Sequence, residues 1–86
     1  MLAIKNIQFT KLLKGESGLR EFNFRKTAVA CQPVFNIDVT DDRSNRIFFS
    51  MQKQDDVWKI QPAQLPSWIT KNETSLHEVI EQELQA

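Results

Sequence analysis

Five short segments of this chain alternate apolar and polar residues with a period of two. Successive side chains of a β-strand point to opposite faces, so this alternation predicts strands with one buried and one solvated face. The segments span residues 6–12, 19–26, 34–40, 46–52 and 57–61. The inward residues would be Ile7, Phe9, Phe22, Phe24, Phe35, Ile37, Val39, Ile47, Phe49, Met51, Trp58 and Ile60. Because most connections are short and parallel pairs need long crossovers, the pattern predicts an antiparallel meander.

The connections contain residue types that favour turns. Residues 15–18 include two glycines, which suit a hairpin that needs a positive φ. Asn45 ends the next polar turn, where an asparagine can adopt the left-handed conformation, and residues 55–56 are a pair of aspartates before the fifth segment. Residues 27–33 form a looser connection that ends at Pro33, which lacks an N–H and fits poorly inside a central strand.

The periodicity changes to a helical one after Pro62 and Pro66. On a helical wheel, apolar residues between positions 65 and 84 fall within an arc of roughly 100°. They are Leu65, Ile69, Leu76, Val79 and Ile80, with Trp68 at the border. This predicts one amphipathic helix. A break near Asn72–Ser75 is the alternative, since Asn72 lies inside the arc and two capping-box patterns flank it.

Five strands followed by one helix fit a single domain over residues 1–86. The simplest two-layer arrangement covers the apolar face of the sheet with the amphipathic helix. We therefore predict an α+β fold, a twisted five-stranded antiparallel sheet (meander) with one C-terminal amphipathic helix packed on one face. The other face of this sheet would be polar and open.

Composition restricts the class of protein. The chain is 41% hydrophobic and 26% charged, which indicates a folded domain rather than a disordered one. The longest apolar runs fall far short of the roughly 18 residues of a membrane span, so no membrane association is predicted. The first nine residues are too short and too polar for a signal peptide, and the single cysteine, Cys31, cannot form an internal disulfide. A cytoplasmic location is the resulting expectation.

Residue types that carry catalysis are sparse. The one histidine, His77, falls opposite the centre of the apolar arc, where we expect it to be solvated, and Cys31 lies in a predicted loop. The sequence has no glycine-rich phosphate loop and no nucleophile elbow. The aspartates at residues 41–42 and 55–56 lack the spacing of a calcium loop, and turn chemistry explains them. The chain is predicted to be no enzyme and to hold no metal or cofactor.

The zero net charge is a balance between two parts of the chain. Residues 1–64 carry ten Lys/Arg against seven Asp/Glu, whereas residues 65–86 carry one against four. The outward face of the predicted sheet adds amides, hydroxyls and one aromatic side chain to its cations, a mixture that can follow a phosphate backbone and stack a base. We predict phosphate contacts from Arg25, Arg46 and Lys59, base stacking on Phe48, and hydrogen bonds from Asn36, Ser50 and Gln52. The alternative for this face is a solvated or protein-contacting surface.

Residues 35–48 resemble the central hairpin of a PUR repeat. The sequence reads Phe35-Asn36-Ile37-Asp38-Val39, then a polar turn, then Asn45-Arg46-Ile47-Phe48. The family pattern is aromatic-x-aliphatic-Asp-aliphatic, a polar turn, and Gly-Arg-aromatic-aliphatic. The resemblance extends loosely from about residue 19 through the amphipathic segment, the length of one repeat.

This resemblance implies a fold and a ligand. PUR repeats, like the related Whirly proteins, have a curved antiparallel sheet with a C-terminal helix and bind single-stranded DNA or RNA. Arg46 matches the family's arginine after the turn, and a homodimer would supply paired repeats. Asn45 stands in place of the family glycine, and Thr40 and Asp42 align with a lysine and an asparagine that contact nucleic acid in the family. The carboxylate of Asp42 would repel phosphate.

Two functions are therefore predicted as alternatives. The first is a small non-enzymatic module that binds single-stranded nucleic acid through the open sheet face. The second is a homodimeric protein-interaction or assembly module without nucleic-acid activity. The second follows from the zero net charge and from size, because a chain this short buries only roughly 60–65% of its unfolded surface and gains from a partner.

Overall fold

A computed structural model describes residues 7–29 and 32–85 of the chain. Within these ranges the elements are β1 (Gln8–Lys14), β2 (Leu19–Val29), β3 (Gln32–Thr40), β4 (Arg46–Gln54), β5 (Val57–Ile60), α1 (Ser67–Thr70) and α2 (Glu73–Gln85). The strands form one sheet in the order β1-β2-β3-β4-β5, and every neighbouring pair is antiparallel. The predicted α+β meander with C-terminal helical structure is confirmed. No helix in the described ranges combines the length and the apolar character that a membrane crossing requires.

The hydrophobic core lies between one face of the sheet and the two helices. It contains the inward residues that the alternation predicted on β2 to β5 except Ile47 and Ile60, and Ile69, Leu76 and Ile80 supply the helical side. Ile7, Phe9, Ile47 and Ile60 are partly buried against this core. Phe35 and Trp58 meet edge to face at its centre, with ring centroids 5.1 Å apart. Such an aromatic contact adds specific geometry to the burial of both rings.

The helical segment is broken at residues 71–72, beside the position near Asn72–Ser75 given by the alternative, so the prediction of one continuous helix over residues 65–84 is wrong. α1 ends at Thr70 and α2 begins at Glu73. Between them, the Asn72 side-chain amide donates to the main-chain oxygens of Trp68 at 2.9 Å and Lys14 at 2.7 Å. A side chain that bonds main-chain groups competes with helical continuation. Asn72 thereby also ties the helical segment to β1.

The turns follow the predicted positions but differ in detail. Gly18 adopts a φ of +139°, and Gly15 is buried where a Cβ would lie 2.6 Å from the Arg20 side chain. Asp55 and Asp56 have φ values of 52° and 67°, as a tight hairpin turn requires. In the β3–β4 turn, Ser44 and not Asn45 takes the left-handed conformation, with φ 64°. The Asp41 carboxylate fixes that turn by accepting the N–H groups of residues 43 and 45, both at 2.8 Å.

Pro33 lies inside β3, so the prediction that it falls outside a central strand is wrong. It pairs with Ala28 on β2, and the pairing of β3 with β4 starts one residue later, at Val34. The proline nitrogen faces β4, where it can donate nothing. The proline therefore ends the pairing with β4 and leaves the strand itself intact. Cys31, predicted to lie in a loop, is outside the described residues.

Side chains of α2 cover the outer edge of β5. Antiparallel pairing turns alternate main-chain groups away from the neighbouring strand, and on β5 these are the N–H groups of Trp58 and Ile60. His77 Nδ1 accepts from the Trp58 N–H at 3.0 Å, and the Glu73 carboxylate accepts from the Ile60 N–H at 2.8 Å. His77 is half-buried, and its predicted exposure to solvent is wrong. A helical wheel shows on which side of a helix a residue lies, but it does not show which strand packs against that side.

Candidate nucleic-acid interface

The sheet face away from the helices, called here the open face, carries the polar side chains that the alternation predicted. The strand register arranges them in rows that cross the sheet. One row contains Thr10, Asn23, Asp38 and Phe48, and the next contains Gln8, Arg25, Asn36 and Ser50. All seven residues predicted to contact nucleic acid lie on this face, and their roles stay predictions.

Four of those seven residues line one concavity. It has a volume of about 500 Å³, and its predicted members are Arg25, Asn36, Arg46 and Phe48. Ser50, Gln52 and Lys59 lie outside it, towards β5. The concavity also contains Gln8, Thr10, Asn23 and Asp38, which occupy outward positions of the alternating segments and have no predicted role. The period of two and the β1–β2 hairpin were the signals that pointed to them.

A chain of polar contacts crosses the concavity from β1 to β4. The Thr10 hydroxyl donates to the Asn23 side-chain oxygen at 2.8 Å. The Asn23 amide donates to the Asp38 carboxylate at 3.1 Å, and Arg46 Nη1 lies 3.3 Å from the same Asp38 oxygen. Since each side chain is oriented by the next, the floor of the concavity is ordered before any ligand arrives.

The Asp38 carboxylate offsets part of the charge of Arg46 without enclosing it. The Arg46 side chain remains 58% exposed in this ion pair. A solvated pair of this kind contributes little to stability, so the arginine can exchange its carboxylate partner for another anion at small cost. The open face holds Lys14, Arg25, Arg46 and Lys59 against the carboxylates of Glu21 and Asp38, which leaves two net positive charges among the described residues of this face.

Phe48 stands on this polar face with 70% of its surface exposed. Its neighbour Phe49 is 7% exposed and packs in the core, so Phe48 is not needed to fill the core at this point of β4. Asp38 lies directly across from it on β3, and Arg46 precedes it by two residues on the same face. An exposed ring next to a cation and to hydrogen-bonding groups has the chemistry of a platform for stacking bases.

Asn36 is held in place by a second set of hydrogen bonds. Its amide donates to the Thr27 hydroxyl at 3.1 Å, and that hydroxyl donates to the Val34 main-chain oxygen at 3.4 Å. Val34 shares the open face by register but is only 4% exposed. The open face is therefore less accessible to solvent around Val34 than a flat sheet would be.

The negative charge of Asp42 is paired and not free. Its carboxylate accepts from the Ser17 hydroxyl at 2.6 Å and forms an ion pair with Arg20. These two hydrogen bonds, that of Ser17 first, hold the pKa of Asp42 below its usual range. The contact joins the β3–β4 turn to the β1–β2 hairpin, and the neighbouring arginine reduces the repulsion that Asp42 would exert on a phosphate.

Among the described residues, no three His, Cys, Asp or Glu side chains gather into one group that could hold a metal ion. Comparisons with protein-family models, with curated proteins and with solved structures found no match to this chain. The resemblance to a PUR repeat and the residue roles drawn from it therefore stay predictions.

Proposed function

We propose that this chain is a small non-enzymatic module that binds single-stranded DNA or RNA on the open face of its sheet. The observation that carries the proposal is Phe48, a largely exposed ring at the edge of a polar concavity that also holds Arg25, Asn36 and Arg46. Proteins bind single strands by stacking bases on such rings while cations contact the backbone. A duplex hides its base faces, so the exposed ring favours a single strand.

The proposed contacts cross several neighbouring rows of the sheet. A base stacks on Phe48, and the guanidinium groups of Arg25 and Arg46 hold phosphates on either side of it. Towards β5, Lys59 lies beside Gln52 in a separate row, the one that contains Val34. Neighbouring strands are about 4.8 Å apart, so the path from β1 to β5 is roughly 19 Å long and accommodates a few nucleotides.

The expected salt dependence follows from the number of cations. Binding to a single strand weakens with a logarithmic slope of about −0.7 for each phosphate contact, so three contacts give about −2. A four-fold rise in salt should then weaken binding about 20-fold. This modest slope is consistent with the small net positive charge of the open face. A larger basic surface would make more phosphate contacts and give a steeper slope.

The test is fluorescence anisotropy of labelled single-stranded DNA and RNA, with duplex DNA as a comparison, at low and moderate salt. Phe48→Ala should weaken binding by roughly 5- to 150-fold, since a stacked base contributes about 1–3 kcal/mol. Leu84→Ala removes an exposed apolar side chain from α2 and should have no effect. Circular dichroism of each variant confirms that the fold is retained.

A charge-matched pair of variants tests the phosphate contacts. Arg46→Glu should abolish most of the affinity, whereas Lys71→Glu makes the same change in charge on the exposed link between α1 and α2 and should leave it nearly unchanged. Equal losses in both variants would mean that net charge alone drives binding. Full affinity in both Phe48→Ala and Arg46→Glu would overturn the proposal and favour the alternative, an interaction module without nucleic-acid activity.

A further inference from the structure

The two outer strands of the sheet differ in how the rest of the fold treats their edges. The outward N–H groups of β5, those of Trp58 and Ile60, are bonded to side chains of α2. An uncovered edge strand is a template for pairing with another chain, and natural proteins cover or interrupt such edges. Because β5 is covered in this way, outward main-chain groups of β1 without a partner would indicate where another chain can pair.

The outward main-chain groups of β1 can be identified from its pairing with β2. The Gly15 N–H donates to the Gly18 oxygen at 2.6 Å, and the Lys26 N–H donates to the Ile7 oxygen at 2.9 Å. Because hydrogen-bonded pairs recur at every second residue, the odd-numbered residues of β1 bond to β2 and the even-numbered ones point away from the sheet.

These outward groups belong to Gln8, Thr10, Leu12 and Lys14. The Lys14 oxygen accepts from Asn72. Within residues 7–29 and 32–85, no hydrogen bond reaches the outward main-chain groups of Gln8, Thr10 and Leu12. All four side chains are exposed, and Leu12 is 58% exposed. Among the described residues, one edge of the sheet is thus covered by side chains of α2, and the other edge has no partner at the outward main-chain groups of Gln8, Thr10 and Leu12.

We infer that a second copy of this chain pairs along this edge, with β1 of one copy antiparallel to β1 of the other across a two-fold axis. A row of alternating outward N–H and C=O groups is matched in full only by another extended strand. Both edges are already extended, and the Lys14 oxygen, which accepts from Asn72, would take the Thr10 N–H of the second copy as an additional donor. A second copy also supplies additional buried surface, which a domain of this size lacks.

The side chains of β1 select one register. With Leu12 on the axis, the two leucines face each other on the open face and shield one another from water. Thr10 of each copy then lies opposite Lys14 of the other. The adjacent register would place Lys11 opposite Lys11, and like charges directly opposite are destabilising. Leu12 therefore marks the axis of the dimer.

This register has a structural consequence for the open face. Residues that pair across antiparallel strands point to the same face, so the open faces of both copies join into one surface and the helices lie together on the other side. The dimer inference does not depend on nucleic-acid binding. If the proposed function holds, a single strand long enough to cross both copies would bind more tightly than a short one.

The mass in solution tests the dimer, measured by sedimentation in the absence of nucleic acid. The chain should approach twice its 10.0 kDa as the concentration rises from about 1 μM to about 1 mM. Leu12→Lys places two cations at the axis and should give a monomer. Leu19→Lys makes the same change at a leucine that is 67% exposed on the interior strand β2, and this variant should remain a dimer.

Two further variants test the register and the main-chain contacts. In a Cys31→Ser background, Leu12→Cys should form a disulfide-linked dimer on mild oxidation, because hydrogen-bonded pairs have Cα atoms about 5.5 Å apart, within disulfide range. Leu19→Cys should remain uncrosslinked. Thr10→Pro removes an outward N–H that a folded monomer does not use, and it should yield a folded monomer by circular dichroism.

The outcomes separate this inference from the proposed function. A wild-type chain that stays monomeric across the whole range would overturn the dimer, whatever its affinity for an oligonucleotide. A dimer that persists in both Leu12→Lys and Thr10→Pro would place the contact elsewhere and overturn the assignment to β1. A dimer lost in both variants and retained in Leu19→Lys would establish it.

Discussion

The contact between His77 and β5 gives the sharpest prediction about stability. His77 Nδ1 accepts the outward N–H of Trp58 at 3.0 Å, and the Trp58 residue itself is fully buried. A leucine at this position has a similar size and excludes water but offers no acceptor. His77→Leu should therefore leave the Trp58 N–H without a partner in a site that is partly closed to solvent.

The expected loss is a large fraction of the total stability. Leaving a buried donor unsatisfied costs about 1–3 kcal/mol. A domain of 86 residues has a free energy of unfolding of about 4–13 kcal/mol, at roughly 0.05–0.15 kcal/mol per residue. Since 1 kcal/mol shifts the Tm of a domain this small by about 4–8 °C, the Tm of His77→Leu should fall by about 5–20 °C.

His77→Asn is the matched control, because the asparagine Oδ1 takes the position of Nδ1 and preserves the acceptor. Leucine has the higher helix propensity, so propensity alone would make His77→Leu the more stable of the two variants. We expect the opposite order in thermal and urea unfolding followed by circular dichroism. A His77→Leu variant as stable as His77→Asn would refute the reasoning, since it would show that the edge N–H needs no acceptor.

Three further predictions concern other contacts that stabilise the fold. The Trp58 indole N–H donates to Glu81 at 2.8 Å and, together with nearby positive charge, lowers the pKa of Glu81. This stabilisation is present above the usual glutamate range and is lost as the pH falls through the lowered pKa. The urea midpoint should therefore fall on acidification, and it should fall less in Glu81→Gln. Asn72→Asp keeps the shape of the side chain but removes the two donors that bond Trp68 and Lys14, and it should lower the free energy of unfolding by about 1–2 kcal/mol in urea titrations. Gly18→Ala imposes a Cβ at a φ of +139° and should lower it by at least about 1 kcal/mol, and an unchanged urea midpoint would contradict that strain.

Alternation and turn residues were enough to predict five strands, their inner and outer faces, and an antiparallel meander. The adjacent pair Phe48 and Phe49 illustrates this, because alternation alone placed one ring in solvent and the other in the core, at 70% and 7% exposure. The direction of successive Cβ atoms is a local property of an extended backbone, so it can be read from neighbouring residues. The short turns then left adjacent pairing as the only economical topology.

The same local reasoning identified part of the candidate site. It placed Arg25, Asn36, Arg46 and Phe48 on the open face, and these four line the concavity. It could not separate them from the three predicted residues nearer β5, because the curvature of the sheet decides which side chains of one face converge. Curvature accumulates from small twists along every strand and leaves no signature in any single segment.

Contacts between elements that are distant in the sequence could not be predicted in this way, because they depend on how the whole fold packs. Asn72 breaks the helical segment by donating to a main-chain oxygen of β1, 58 residues away. His77 accepts a hydrogen bond from the main chain of β5, 19 residues away. Asp42 is paired with side chains of another hairpin. The sequence shows that such residues have donors and acceptors. Which partner each one finds depends on where the packed elements bring the two groups within hydrogen-bonding distance, and that position is set by the whole fold.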